Sequence, residues 1–172
     1  MISLNRPKSF AIPVLLVLIV LASCAPKTDE DRIREMMKEA GRRIENKDIA
    51  GLLSFLTEDY TDNRGRDKIQ TEDMVKTYFQ EFRGIVVHLL STRIDEMEQG
   101  TARIRTDAAI SSGAAKALRK LVPVSTDNYR FRIELVKKQD RWLIRYAEWR
   151  HIGVEELFPE SLPLFKKLFS EK

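Results

Sequence analysis

Hydrophobic residues near the start of the mature chain recur with the period of a helix. Between residues 29 and 46 they fall at steps of three and four, at Ile33, Met36, Met37, Ala40 and Ile44. Thr28 and the three acidic residues after it provide an N-cap and a favourable first turn. The pattern therefore predicts an amphipathic helix over residues 29–46, with its apolar stripe in the core.

Two further helices are predicted before residue 83. Asp48 begins a shorter one, with apolar positions at Ile49, Leu52, Leu53 and Leu56. Thr71 caps the other, with a stripe at Met74, Val75, Tyr78, Phe79 and Phe82. The segment between them, residues 58–70, contains the turn formers Asn63 and Gly65 and predicts a small hairpin or an irregular lip.

After Gly84 the hydrophobic period changes from about 3.6 to 2, which is typical of strands with one buried face. Four strands are predicted, at residues 85–98, 101–110, 129–136 and 142–152. Turns at "QG" and "KKQDR" make the first pair and the second pair into hairpins. Three helices followed by an antiparallel meander indicate an α+β fold, with the helices packed on one face of a curved sheet of four or more strands.

The apolar run from Phe10 to Ala22 is typical of a secretory signal peptide. Its thirteen residues would form a helix of about 20 Å, too short for a hydrocarbon core of about 30 Å. Arg6 and Lys8 precede the run, and no acidic residue occurs before Asp29. A basic start, a short apolar middle and small residues at the end predict that residues 1–23 are cleaved.

The residues at the end of this run, Leu21, Ala22, Ser23 and Cys24, resemble the lipobox of bacterial lipoproteins. The resemblance implies cleavage before Cys24, a diacylglycerol on its sulfur and an acyl chain, such as palmitate, on its amino group. Several chains give lasting attachment to a bilayer. Residues 24–28 would be the lipidated tether, and Ala25 resembles outer-membrane sorting with the protein facing the periplasm. The alternative is a lone cysteine at the edge of an ordinary signal peptide.

Composition restricts the remaining possibilities. Removing residues 1–23 from 172 leaves 149, enough for one domain. The chain has 30 basic and 26 acidic residues, and without Arg6 and Lys8 the mature chain has 28 basic residues and a net charge of +2. We therefore expect no nucleic-acid partner. With Cys24 the single cysteine, no internal disulfide can form. His88 and His151, without a second thiol, predict no metal site, and no motif predicts a cofactor.

The order helix, helix, short hairpin, helix and long strands resembles the nuclear transport factor 2-like superfamily, which includes ketosteroid isomerases and polyketide cyclases. The residues that carry the resemblance are "NKDIAGLLSFLTEDYTD" and, on the last strand, "RWLIRYAEW". It covers residues 29–152 and implies a cone-shaped domain with a pocket between the helices and the concave sheet. Fold alone fixes no activity, because such a cone serves enzymes, carriers and assembly domains.

The candidate pocket residues come from the inward phase of the strands and from the helices. They are Tyr60, Tyr78, His88, Trp142, Tyr146 and Glu148. Glu148 follows Trp142, Ile144 and Tyr146 in period two, so an unbulged strand would point it inward. If the cone is an enzyme, Glu148, His88 and Tyr146 are the candidate acid–base residues, since histidine titrates near neutral pH and burial raises a glutamate. The alternative involves no catalysis: Glu148 would lie at the solvent-exposed opening of the cone, and His88 would be hydrogen-bonded within its strand.

Arginines on the opposite phase of three strands predict a basic surface patch on the outer face of the sheet. They are Arg103, Arg105, Arg130, Arg132 and Arg145. Neighbouring side chains across strands stand about 5 Å apart, so the five could attract an acidic partner, an anionic lipid or a glycan. The alternative is a solvated face in which Asp107 and Glu134 balance the arginines.

Residues 153–172 predict a C-terminal amphipathic tail. Ser161 and Pro163 suit a helix start, and a narrow apolar stripe follows at Leu164, Phe165, Leu168 and Phe169. The stripe would close the open end of the cone or dock on a second copy, a partner or the membrane.

The sequence predicts a lipid-anchored envelope protein whose cone acts without catalysis as a binding or assembly module. The expected partners are the bilayer, through acylated Cys24, an envelope protein or small apolar ligand, and a second copy of the chain. The alternative function is a small pocket enzyme of the ketosteroid isomerase or polyketide cyclase type.

Overall fold

The computed structural model describes residues 27–82, 84–112 and 127–157. The predicted signal peptide, the lipobox with Cys24, and residues 158–172 of the predicted tail lie outside the described residues.

Three helices precede the long strands, as the periodicity predicts. Helix α1 (Asp29–Glu45) begins with a capping box, in which Thr28 accepts from the Asp31 N–H and Asp31 accepts from the Thr28 N–H. Helix α2 (Ile49–Leu53) has Asp48 as its N-cap. Helix α3 (Lys68–Glu81) begins earlier than predicted, because Asp67 and Gln70 form a second capping box. Thr71, the predicted cap, is instead buried in its first turn.

The sheet has five strands in the order β1-β5-β4-β3-β2. The strands are β1 (Leu56–Asp62), β2 (Ile85–Glu98), β3 (Thr101–Ser112), β4 (Asp127–Lys138) and β5 (Arg141–His151). Strands β2 to β5 form the predicted antiparallel meander. The predicted hairpin or lip at residues 58–70 is wrong, because residues 56–62 form a strand parallel to β5. A short helix, α4 (Val154–Leu157), ends the described chain.

Helix α1 fills the half of the cone next to the β4–β5 turn, which we call the narrow half, and we call the opposite end, where β5 finishes at His151, the wide end. Ile33, Met36 and Met37 pack against Ile104 of β3 and Leu135 of β4 in the main hydrophobic cluster. A second cluster, around Val75 and Phe79 of α3 and Ile85 of β2, closes the other end of the helical layer. Ile49 packs against both clusters, so the two are parts of one continuous core.

A one-residue bulge reverses the side-chain alternation of β5. Glu134 pairs with Tyr146, whereas Leu135 pairs with Ile144, so Arg145 is the extra residue. Trp142 and Ile144 are buried before the bulge, and Ala147 is buried after it. A bulge places two residues opposite one and shifts the phase of everything beyond it. The alternation that predicted Tyr146 and Glu148 to face inward therefore does not hold past Ile144.

Candidate functional site

Two predicted pocket residues are parts of the core. Trp142 is buried, and its indole N–H donates to the Asp29 carboxylate at 3.2 Å. Tyr60 is also buried, and burial raises the pKa of its phenol to about 12. Both side chains lie in the main hydrophobic cluster, and Trp142 also lines the larger of the two concavities described below.

Tyr78 is half-buried on α3 and contacts the ring of Phe82, with 4.5 Å between ring centroids. Burial raises the pKa of its phenol. It belongs to the second cluster and lies at the wide end of the cone.

The three candidate acid–base residues do not converge. Glu148 accepts from the Arg132 guanidinium at 3.0 Å, and Tyr146 lies opposite Glu134 on the same outer face. His88 is on β2, which β3 and β4 separate from β5. At about 4.8 Å between neighbouring strands, His88 lies about 14 Å or more from Glu148. A general acid and base must reach one substrate within hydrogen-bond distance, and this set does not meet that condition.

All five predicted patch arginines lie on the outer face, and each has a carboxylate partner. Arg103 pairs with Glu96 at 2.9 Å, Arg105 with Asp95 at 2.9 Å and Arg132 with Glu148 at 3.0 Å. Arg145 pairs with Glu134 at 3.2 Å. Arg130 makes two bonds to Asp107, at 2.7 and 3.0 Å. This arrangement favours the alternative, a face with balanced charges, over a basic patch that attracts an acidic partner.

The larger concavity described here lies between α1 and the β4–β5 turn, and we call it the hairpin cleft. It has a volume of about 710 Å³. Met36, Phe55 and Trp142 form its apolar floor. Its rim is charged, with Arg32, Glu35, Lys38, Glu39, Arg42, Asp140 and Arg141. A smaller concavity of about 230 Å³ lies where Trp149 and Asn63 meet the outer-face arginines.

An aromatic ledge that the hydrophobic pattern does not predict lies at the wide end of the cone. Register pairs Phe131 with Trp149 and Tyr129 with His151, on the face that also carries buried Ile133 and Ala147. The Tyr129 and His151 rings lie 4.2 Å apart, between centroids. The inward orientation of Trp149 and His151 is not predicted from the sequence, because it depends on the bulge at Arg145. An arginine at that position does not indicate a bulge.

One arginine joins the ledge to the turn after β1. The Arg66 guanidinium lies 5.2 Å from the centre of the Trp149 ring, a cation–π distance. Its Nε donates to Asp62 at 2.6 Å, and the Asp62 side chain is fully buried. The second guanidinium nitrogen, Nη2, is buried without a hydrogen-bond partner among the described contacts.

No group of three or more His, Cys, Asp or Glu side chains in residues 27–82, 84–112 and 127–157 is placed to hold a metal ion. In the same part of the chain, no helix is long and apolar enough to cross a bilayer.

Comparison with known proteins identifies the fold. No family model matches the chain, and no curated protein matches it. Among solved structures, a Novosphingobium aromaticivorans protein provisionally assigned as a scytalone dehydratase has a TM-score of 0.60 and 15% identity over 83% of this chain and 89% of that one. A nuclear transport factor 2-like protein with a cystatin-like fold from the same species has a TM-score of 0.60 and 13% identity, over 86% and 94%.

A third similar structure is Bd1075 of Bdellovibrio bacteriovorus, with a TM-score of 0.60 and 18% identity. The match covers 76% of this chain but 44% of that protein, so this chain spans less than half of its length. The chain thus has the predicted nuclear transport factor 2-like, cystatin-like cone, with an α+β architecture. At these identities the similarity shows the fold alone.

Proposed function

We propose that this protein is a lipid-anchored component of the bacterial envelope, in which the cone is a non-catalytic binding or assembly module. The lipobox residues Leu21 to Cys24 support the anchor, and Ala25 supports location in the outer membrane facing the periplasm. The cone has one continuous hydrophobic core, which favours a module of a single domain held at the membrane by a short tether.

The dispersal of the candidate acid–base residues carries the non-catalytic part of the proposal. Glu148 is ion-paired on the outer face, Tyr146 is beside it, and His88 is on a distant strand. Ile33 and Met37 also fill the narrow half of the cone. In an isomerase-type enzyme, an apolar site there would hold a catalytic carboxyl group and raise its pKa.

An enzyme of the isomerase, cyclase or dehydratase type is the second candidate. The favourable observation is the aromatic ledge, where Tyr129 and His151 lie in ring contact at the wide end of the cone. One of the similar structures is provisionally assigned as a dehydratase. The ledge could hold a small apolar or aromatic molecule, and such a molecule would co-purify with the domain and be detectable by mass spectrometry.

Metabolic labelling tests the anchor. The full-length chain, expressed in a Gram-negative host with labelled palmitate, should carry label and should partition into the membrane fraction. Cys24→Ala should abolish the label, because the sulfur that receives the diacylglycerol is absent. Mass spectrometry of the mature protein should place its first residue at Cys24. A labelled Cys24→Ala protein, or a mature start elsewhere, would contradict the proposal.

A further inference from the structure

The tether is too short to let the domain turn freely above a bilayer. Cys24 lies three residues before Lys27, the first residue that the structure describes. Consecutive Cα atoms are 3.8 Å apart, so the two Cα atoms are separated by at most about 11 Å, whatever path the chain takes. If Cys24 is acylated, Lys27 must therefore lie close to the lipid headgroups. This step rests on the proposed anchor.

Ion pairs connect the start of the described chain to one end of the cone. The Lys27 ammonium binds the Glu35 carboxylate at 2.7 and 2.8 Å, on the rim of the hairpin cleft. The Asp29 carboxylate accepts from the Lys137 ammonium at 2.8 Å, and from the Trp142 indole. Lys137 and Trp142 flank the β4–β5 turn. The hairpin cleft and this turn are therefore the part of the cone nearest to the anchor.

The lining of the hairpin cleft leaves two cations without a carboxylate. Arg32 pairs with Asp140 at 2.7 Å, and Arg42 pairs with Glu39. Among the residues that the structure describes, no ion pair or hydrogen bond is formed by the side chains of Lys38 and Arg141. Lys138, next to the turn, is more than half exposed, and its nearest carboxylate oxygen, in Asp59, is 3.9 Å away.

We propose that the hairpin cleft and the β4–β5 turn form the membrane-facing surface of this protein, with Lys38, Lys138 and Arg141 contacting lipid phosphates. The apolar floor of Met36 and Phe55 would lie against the headgroup layer. Lysine and arginine side chains are attracted to an anionic lipid surface, and this attraction favours one orientation of a domain that is already tethered.

This orientation directs the rest of the cone away from the bilayer. Strand β5 runs from Arg141 at the turn to His151 at the wide end, which is about 35 Å for eleven residues. Helix α1 runs the same way, and Lys47 beyond it donates to the carbonyls of Phe79 and Phe82. The aromatic ledge and the end of α3 therefore face the aqueous compartment, where a partner or ligand can reach them.

Site-specific fluorescence tests the orientation in the lipidated full-length protein. Acylation leaves Cys24 without a free thiol, so an introduced cysteine is the single site for a fluorophore. Lys138→Cys places the label at the proposed surface, and Glu81→Cys, an exposed position at the end of α3, is the control. In vesicles of phosphatidylethanolamine and phosphatidylglycerol with a headgroup quencher, quenching at position 138 should be several-fold stronger than at position 81.

A charge-reversal background tests the lipid contacts themselves. Lys38→Glu with Arg141→Glu should weaken quenching of the label at position 138. The matched control, Arg64→Glu with Arg93→Glu, changes the charge equally at two exposed positions away from the cleft and should leave the quenching unchanged. Equal quenching at positions 138 and 81, or equal loss in both backgrounds, would overturn the proposal.

Vesicle flotation separates this outcome from failure of the anchor. If the protein carries palmitate and floats, but the labels at positions 138 and 81 are quenched equally, the proposed anchor is supported and the proposed orientation is refuted. A chain that neither carries palmitate nor floats refutes both.

Discussion

Tyr60 makes the stability of the cone sensitive to alkaline pH. Burial raises its pKa from 10.0 to about 12, so the folded state retains a neutral phenol where the unfolded chain ionises. This contribution is fully present below pH 10 and is lost as pH rises toward 12. The free energy of unfolding should fall in that window by up to about 1.4 kcal/mol per pH unit from this residue.

Denaturant unfolding at pH 9 and pH 11 checks this prediction. Tyr60→Phe should lose less stability between the two pH values than the wild type, because the variant has no phenol to ionise. Tyr146→Phe, on the outer face of β5, should retain most of the wild-type dependence. An identical pH dependence in wild type and Tyr60→Phe would show that Tyr60 is not the group responsible.

Ile33 should be the most costly single truncation in α1. Its side chain is 0% exposed and sits between the helix and the sheet. Ile33→Ala removes buried methylene groups and leaves a cavity, so the free energy of unfolding should fall by about 3 kcal/mol. Ile69→Ala is the matched control, because Ile69 in α3 is 71% exposed, and its cost should stay below about 0.5 kcal/mol. Similar losses in both variants would mean that α1 does not fill the cone as described.

At the scale of elements, the turn after β1 depends on one carboxylate. Asp62 accepts from the backbone N–H groups of Arg64 and Arg66, at 2.8 and 3.0 Å, and from the Arg66 guanidinium. Burial alone would raise the pKa of Asp62, but these donors hold it below the usual value. The stabilisation is therefore present above the ordinary aspartate pKa and is lost as pH falls through the lower folded value.

Asp62→Asn should weaken this turn and lower the free energy of unfolding by about 2 kcal/mol, because a charged hydrogen bond to Arg66 is lost. The same substitution at exposed Asp59, on the same strand, is the control and should have little effect. Since Arg66 lies over Trp149, the fluorescence of that tryptophan should also change in Asp62→Asn. Equal stability of the two variants would indicate that Asp62 does not organise the turn.

The elements differ in how well their sequences predict them, for local reasons. Helix α1 was predicted to within one residue, because its cap and its apolar stripe are both local signals. Strand β1 was missed, because its partner in β5 is more than 80 residues away along the chain and its sequence, LTEDYTD, contains turn-forming acids. The start of α3 was misplaced, because Asp67 and Thr71 are both good caps.

The candidate site was harder to predict than the fold. The outward arginines of β3 and β4 follow simple alternation, which the register confirms. The inward set of β5 depends on the bulge at Arg145, and a bulge is decided by the packing of neighbouring strands. Because of this one extra residue, Ala147 and Trp149 lie on the concave face, and Tyr146 and Glu148 lie on the outer face. The three candidate acid–base residues therefore do not share a pocket.

At the scale of the whole molecule, the two hydrophobic clusters should unfold together. Ile49 packs against both, and the sheet joins Ile85 of one cluster to Ile104 of the other through the β2–β3 hairpin. A single core of this size is expected to give one cooperative transition. Damage to the second cluster should therefore lower the stability of the first by the same amount.

Val75→Ala tests this coupling, because Val75 is buried in the second cluster whereas both tryptophans belong to or pack against the first. We expect a loss of about 2 kcal/mol from the smaller buried side chain. Tryptophan fluorescence, which reports on the first cluster, and far-ultraviolet circular dichroism, which reports on all helices, should give the same lowered midpoint. Ile69→Ala, on the exposed face of the same helix, should leave both midpoints unchanged. If circular dichroism shifted while tryptophan fluorescence kept the wild-type midpoint, α3 and its cluster would be a separate folding unit, and a partner bound at the wide end of the cone could then order it independently of the anchored end.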